Sequence, residues 1–107
     1  MSEVFANIKK LILYGDIKVS DHGYNELAND DIFIRDLIDS ASRAVVLENY
    51  ADYPKGPCVL VLQYDADHQP VHVVWGMPKG ELAPAVLVTA YRPDPTKWTD
   101  DFRRRKK

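Results

Sequence analysis

The sequence predicts an α+β domain: N-terminal helices packed on a small antiparallel sheet, closed by a short C-terminal helix. Three observations predict it. Up to Ala41 the apolar residues recur at helical spacing. From Ala44 the chain changes to β-branched runs with extended periodicity. Segments rich in Gly, Pro and Asp then cut those runs into strands of hairpin length.

Val4, Phe5, Ile8, Leu11 and Ile12 form one helical stripe. Residues 3–14 are therefore the first helix, with Ser2 as N-cap and Gly15 as its left-handed terminator. Ile17-Lys18-Val19 is a short extended link. Ser20 or Asp21 caps a second helix around 21–28, which packs Tyr24, Leu27 and Ala28. Asn29-Asp30-Asp31 ends that helix and caps a third, whose face is Ile32, Ile34, Leu37, Ile38 and Ala41.

Ala44 to Asn49 is the first β-branched run, and residues 50–57 are loop chemistry. Cys58–Tyr64 and Val71–Trp75 make a hairpin across residues 65–70. A six-residue connection pairs Gln63 with His72, Leu62 with Val73 and Leu60 with Trp75. That register puts Leu60, Leu62, Tyr64, Val71, Val73 and Trp75 in the core, and Gln63 and His72 on a working face. Ala85–Tyr91 is the last of four strands. Asp94 as N-cap and Pro95 at the first helical position open the final helix through Trp98 and Phe102.

A chain of 107 residues forms one domain, 1–107. Its formal charge of −2 conceals an asymmetry: residues 92–107 hold seven Lys/Arg against three Asp/Glu, and residues 1–91 hold seven against thirteen. A basic tail, 103–107, thus follows an acidic body. No apolar run approaches the ~20 residues of a membrane helix. Residues 1–15 lack the apolar core of a secretory signal. The single cysteine, Cys58, allows no internal disulfide, and no His pair has metal-ligand spacing. The expectation is a cytoplasmic protein without metal or cofactor.

No phosphate loop or nucleophile elbow is present. Asp30-Asp31 reads as a cap, Cys58 as an inert core thiol and His68 as a solvated loop residue. His22, between Asp21 and Glu26, is either a tuned acid/base group or an ordinary helix-surface residue. His72 is either catalytic or a satisfied packing residue. Arg92 and Lys97 can hold phosphate, Tyr91 can orient it and Trp98 can stack on a base. The plainer alternative puts Tyr91 and Trp98 in the core and leaves the cations solvated. Arg103, Arg104 and Arg105 with Lys106 and Lys107 are a polyanion contact, a docking strip for an acidic partner or a frayed end.

The stretch from "IKVSDHGYNELANDDI" through "PVHVVW" to "LVTAYRPDPTKW" resembles the bacterial domain-of-unknown-function family 4258, related to RelE and BrnT toxins. The resemblance covers roughly residues 17–98. It implies a RelE-like fold, with a small twisted antiparallel sheet and helices on one side. It also implies metal-independent RNA cleavage or translation inhibition, and a toxin–antitoxin role. His22 matches the family's helical His, His72 its strand His, and Tyr91 and Arg92 its final strand. The catalytic set expected is therefore His22, His72, Tyr91 and Arg92, and the RNA-binding set Lys97, Arg103, Arg104 and Arg105. The partners implied are a zinc-finger-type antitoxin, and mRNA or the ribosome. The other reading is a non-catalytic protein-interaction domain on the same fold, an inactivated toxin relative or a subunit of a complex. The acidic body and Glu26 favour that second reading, and a small-molecule enzyme has no cofactor motif behind it.

Overall fold

The computed structural model describes residues 3–106. The elements are α1 (Glu3–Leu13), β1 (Ile17–Val19), α2 (Asp21–Asn29), α3 (Ile34–Ser40), a 3-10 turn (Ala41–Arg43), β2 (Val45–Tyr50), β3 (Cys58–Tyr64), β4 (Pro70–Gly76) and β5 (Ala85–Tyr91). Together they are an α+β fold. The proposed Ser2 cap lies outside the described residues. Among the described residues no helix is long and apolar enough to cross a membrane.

The five strands form one sheet in the order β1-β5-β4-β3-β2. The sheet is mixed, not wholly antiparallel, because the short link at 17–19 is itself a strand and pairs parallel to β5. Three residues are too few for a period of two to be legible in sequence. Gly15, at φ +78°, ends α1 as expected and aims the chain at the sheet edge. There the Ala85 N–H donates to the Asp16 carbonyl.

Ser20 fixes the next junction. Its Oγ accepts from the Gly23 N–H, capping α2, while its hydroxyl donates to the Val88 carbonyl and its N–H to the Leu87 carbonyl. Gly23 is required by this approach, since a Cβ there would stand 2.7 Å from the Leu87 carbonyl oxygen. Asp30 and Asp31 do not cap α3, whose N-cap, Phe33, makes no side-chain bond. The Asp30 N–H instead closes α2, leaving its carboxylate for a partner on β5.

The β3–β4 register is displaced by one residue from the expected one. Gln63 faces Val71, Leu62 faces His72 and Val59 faces Trp75. The connection is shorter than the sequence suggests. The Asp65 N–H donates to the Gln69 carbonyl, closing a three-residue turn in which His68 takes the left-handed position at φ +61°. The Asp65 carboxylate accepts from the Asp67 and Gln69 N–H groups and stabilises that turn. A one-residue change of register exchanges the faces of one strand relative to the other. Val59, Val61 and Gln63 therefore join Val71, Val73 and Trp75 on the helix side.

Phe5, Ile8 and Ile12 of α1, Leu27 of α2 and Leu37 of α3 pack on that side. Gln63 is buried there without penalty because every polar end is paired. Its amide N–H groups donate to the Leu37 carbonyl (2.7 Å) and Ser40 Oγ (2.8 Å), and its carbonyl accepts from the Trp75 indole at 2.8 Å.

No C-terminal helix forms among the described residues. Asp94 caps a single turn, taking the Thr96 N–H and hydroxyl on its carboxylate. Thr99 and Asp101 then bond to each other and to the backbone, the competition that ends helices. The chain doubles back as a loop, with a bridge pairing Trp98 and Arg105. This loop lies over the sheet face that carries no helix, and Trp98 is buried against it.

Candidate functional site

His72 on β4 and Tyr91 on β5 are cross-strand partners on the face opposite the helices. His72 Nδ1 stands 3.3 Å from the Tyr91 hydroxyl, and Nε2 stands 2.8 Å from the Phe102 carbonyl. A carbonyl only accepts, so Nε2 carries the proton and Nδ1 accepts from Tyr91. Trp98 meets the imidazole edge-on at 4.3 Å between ring centres. His72 is fully buried. Burial pushes its pKa down and that of Tyr91 up, so both are neutral near pH 7.

Arg105 completes the wall. Its guanidinium lies 4.7 Å from the Trp98 ring centre and forms a two-pronged contact with Glu48, at 3.3 and 3.4 Å. Tyr50 donates its hydroxyl to the same carboxylate. That bond first, and then Arg105, holds the Glu48 carboxyl below its usual range against the opposing effect of burial. The Glu48 carboxylate in turn pushes the Tyr50 hydroxyl up. A carboxylate, an imidazole, two phenols and a guanidinium thus collect where β2, β4, β5 and the C-terminal loop meet.

Of the residues singled out from sequence, His72, Tyr91, Trp98 and Arg105 come together here. Glu48 and Tyr50 were missed. Their signal was a carboxylate and a tyrosine two apart at the end of a strand that opens Val-Val-Leu, which places both on one face.

The remaining candidates lie elsewhere. His22 is exposed in the first turn of α2, its Nε2 3.8 Å from Glu26. It lines a groove of about 680 Å³ with Tyr50, Tyr53, Lys55, Val74 and Thr89. Tyr50 is the residue common to this groove and the His72 cluster. Arg92 serves the fold. Its N–H donates to the Asp30 carboxylate, its guanidinium donates to the Asp30 and Asp31 carbonyls, and Nη1 lies 2.9 Å from Asp65. His22, His72, Tyr91 and Arg92 therefore do not share one concavity. Lys97, Arg103, Arg104 and Lys106 are exposed, and Lys107 lies outside the described residues. The Cys58 thiol is buried, and burial pushes its pKa up.

Residues 19–92 match the family described as Domain of unknown function (DUF4258). No curated protein and no solved structure matches the chain. The chain belongs to the DUF4258 family.

Proposed function

We propose that this domain is the toxin of a type II toxin–antitoxin module and cleaves RNA without metal, in the manner of RelE-like proteins. The observation that carries the reading is the convergence of Glu48, His72, Tyr91 and Arg105 on one sheet face. Metal-independent cleavage needs a base for the ribose 2′-OH, a cation for the charge on the pentacoordinate phosphorus and an acid for the departing 5′-oxygen. Glu48, ionised at neutral pH, takes the 2′ proton. Arg105 faces the phosphate. The Nε2–H of neutral His72, oriented by Tyr91, hydrogen-bonds the departing 5′-oxygen, which takes its proton from water while Glu48 returns its own to solvent, leaving a 2′,3′-cyclic phosphate and a 5′-hydroxyl. The exposed Lys97, Arg103 and Arg104 hold flanking phosphates. The site of action is the cytoplasm, on mRNA or at the ribosome, and a zinc-finger-type antitoxin neutralises the protein.

The test is inducible expression of wild type and His72→Ala, scored for growth and RNA decay. Growth arrest and EDTA-resistant RNA decay are expected from wild type alone. Unimpaired growth on expression of the wild type without a partner overturns the reading.

A second reading, a non-catalytic protein-interaction domain, is favoured by one observation. Both ring nitrogens of His72 are already engaged and the side chain is fully buried. On that reading the expressed protein captures a partner while RNA stays intact.

A further inference from the structure

We propose that residues 99–104, the tip of the C-terminal loop, are an autoinhibitory lid over His72 and Tyr91, with the Phe102 carbonyl standing where a phosphate oxygen of a polyanion binds. This rests on the RNA-directed reading above for the nature of the anion.

The covered pair does not depend on its cover. His72 and Tyr91 are held in register by β4 and β5, so lifting the tip leaves them bonded to each other. The loop has a neck and a tip with different attachments. At the neck, Trp98 packs on His72, Arg105 is clasped by Glu48, and beside the Trp98–Arg105 bridge the Lys106 N–H donates to the Lys97 carbonyl. The tip is shaped by itself, through the Asp101 carboxylate, which accepts from the Thr99 hydroxyl and the Arg103 N–H. It reaches the sheet through the Phe102 carbonyl. Phe102 sits at φ +59°, a region that side-chain-bearing residues seldom occupy. In the opening proposed here the tip turns about the neck while Arg105 stays at the site.

The chemistry of the exchange identifies the opener. A carbonyl oxygen and a phosphate oxygen are both acceptors for the Nε2–H, so one replaces the other without changing the tautomer or the Tyr91 bond. Arg103 and Arg104 are exposed on the tip, with Lys97 and Lys106 at the neck. A phosphate chain laid along them draws the tip cations toward itself and brings its own oxygen to His72.

The test measures modification of His72 by diethyl pyrocarbonate, read by mass spectrometry, with the exposed His22 and His68 as internal references. The probe is a 2′-O-methyl oligouridylate, which lacks the attacking hydroxyl. In the free protein His72 reacts at least about ten-fold more slowly than the references. The oligonucleotide raises its rate toward theirs. Arg103→Ser with Arg104→Ser abolishes that rise but not the slow background rate. Asp101→Ala raises the rate without any oligonucleotide. The lid is overturned if His72 stays protected in the saturated complex, or if Asp101→Ala, shown by circular dichroism to be folded, leaves its rate unchanged. The two proposals fail separately: an uncovered His72 without cleavage of unmodified RNA rejects the ribonuclease. Cleavage with His72 protected throughout rejects the lid.

Discussion

Arg92 Nη1 lies 2.9 Å from the Asp65 carboxylate, tying the end of β5 to the β3–β4 turn. The same side chain also donates to the carbonyls of Asp30 and Asp31 between α2 and α3. A residue that reads as a phosphate ligand in sequence is thereby a clamp among three parts of the fold. Arg92→Ala removes the cation beside the Asp65 carboxylate and leaves two carbonyls without their guanidinium donor, and costs about 2–3 kcal/mol of stability. Arg92→Lys does not restore it, because an ammonium donates from one nitrogen and cannot span partners that Arg92 reaches from Nε, Nη1 and Nη2. Urea denaturation of the two variants checks this.

Asp65 links that clamp to pH. Burial raises its carboxyl, but the Gln69 N–H, the Arg92 guanidinium and the Asp67 N–H together lower it further than burial raises it. The stabilisation is complete above the unfolded value of about 3.9 and is lost as pH falls through the folded one. Asp65→Asn is expected to be less stable than wild type at pH 7, with the difference narrowing in acid. A denaturation series from pH 7 to 3 measures it.

His72 titrates with the opposite chemistry and the same direction. Burial lowers its pKa, so as pH falls the unfolded chain binds this proton first. Stability is therefore highest above about pH 6.5 and declines from there toward the folded-state value. His72→Gln flattens the profile across that interval, and urea midpoints at pH 7.5 and 5.5 for the two proteins show whether it does.

The amide of Gln63 is a structural centre under α3. Gln63→Leu strands the Trp75 indole N–H, which loses its 2.8 Å acceptor in a fully buried setting. The expected cost is about 2–3 kcal/mol, despite the gain in apolarity. Chemical denaturation gives the number, and indole hydrogen exchange of Trp75 should accelerate with it.

On the ribonuclease reading, Glu48→Gln and Arg105→Ala each lower cleavage by about 10²-fold or more. His22→Ala, outside the cluster, has a much smaller effect. Initial rates on one defined oligoribonucleotide distinguish them.

The helical front was legible because its stripe of Val4, Phe5, Ile8, Leu11 and Ile12 repeats over several turns. The hairpin strands were legible too, but their register was not. It depends on whether Asp65 to Pro70 is all loop, or whether Asp65 and Gln69 pair and leave His68 in the left-handed site. A glycine there would have signalled that turn, and a histidine does not. The final helix failed for a related reason: Asp94-Pro95 is a sound start signal, but Thr99 and Asp101 have local bonds that compete with continuation. Three of the four site residues, His72, Tyr91 and Arg105, were legible as residue types, and Glu48 was not. Glu48 and Arg105 reach it through pairings distant in sequence, which no local pattern encodes.

The parallel β1–β5 pairing has a consequence for how the chain assembles. Among the described residues, 17–19 find their strand partners at 85–87 alone, so this sheet edge cannot close until residue 87 has left the ribosome. Ser20, which caps α2, is anchored to the same late strand. Such long-range closure is slow relative to helix and hairpin formation. The nascent chain thus carries helices with an unfinished sheet until Ala85–Leu87 emerges, and Tyr91, Arg92 and the loop beyond them follow. Whatever this face does, it does only after residues 85–105 have joined the sheet.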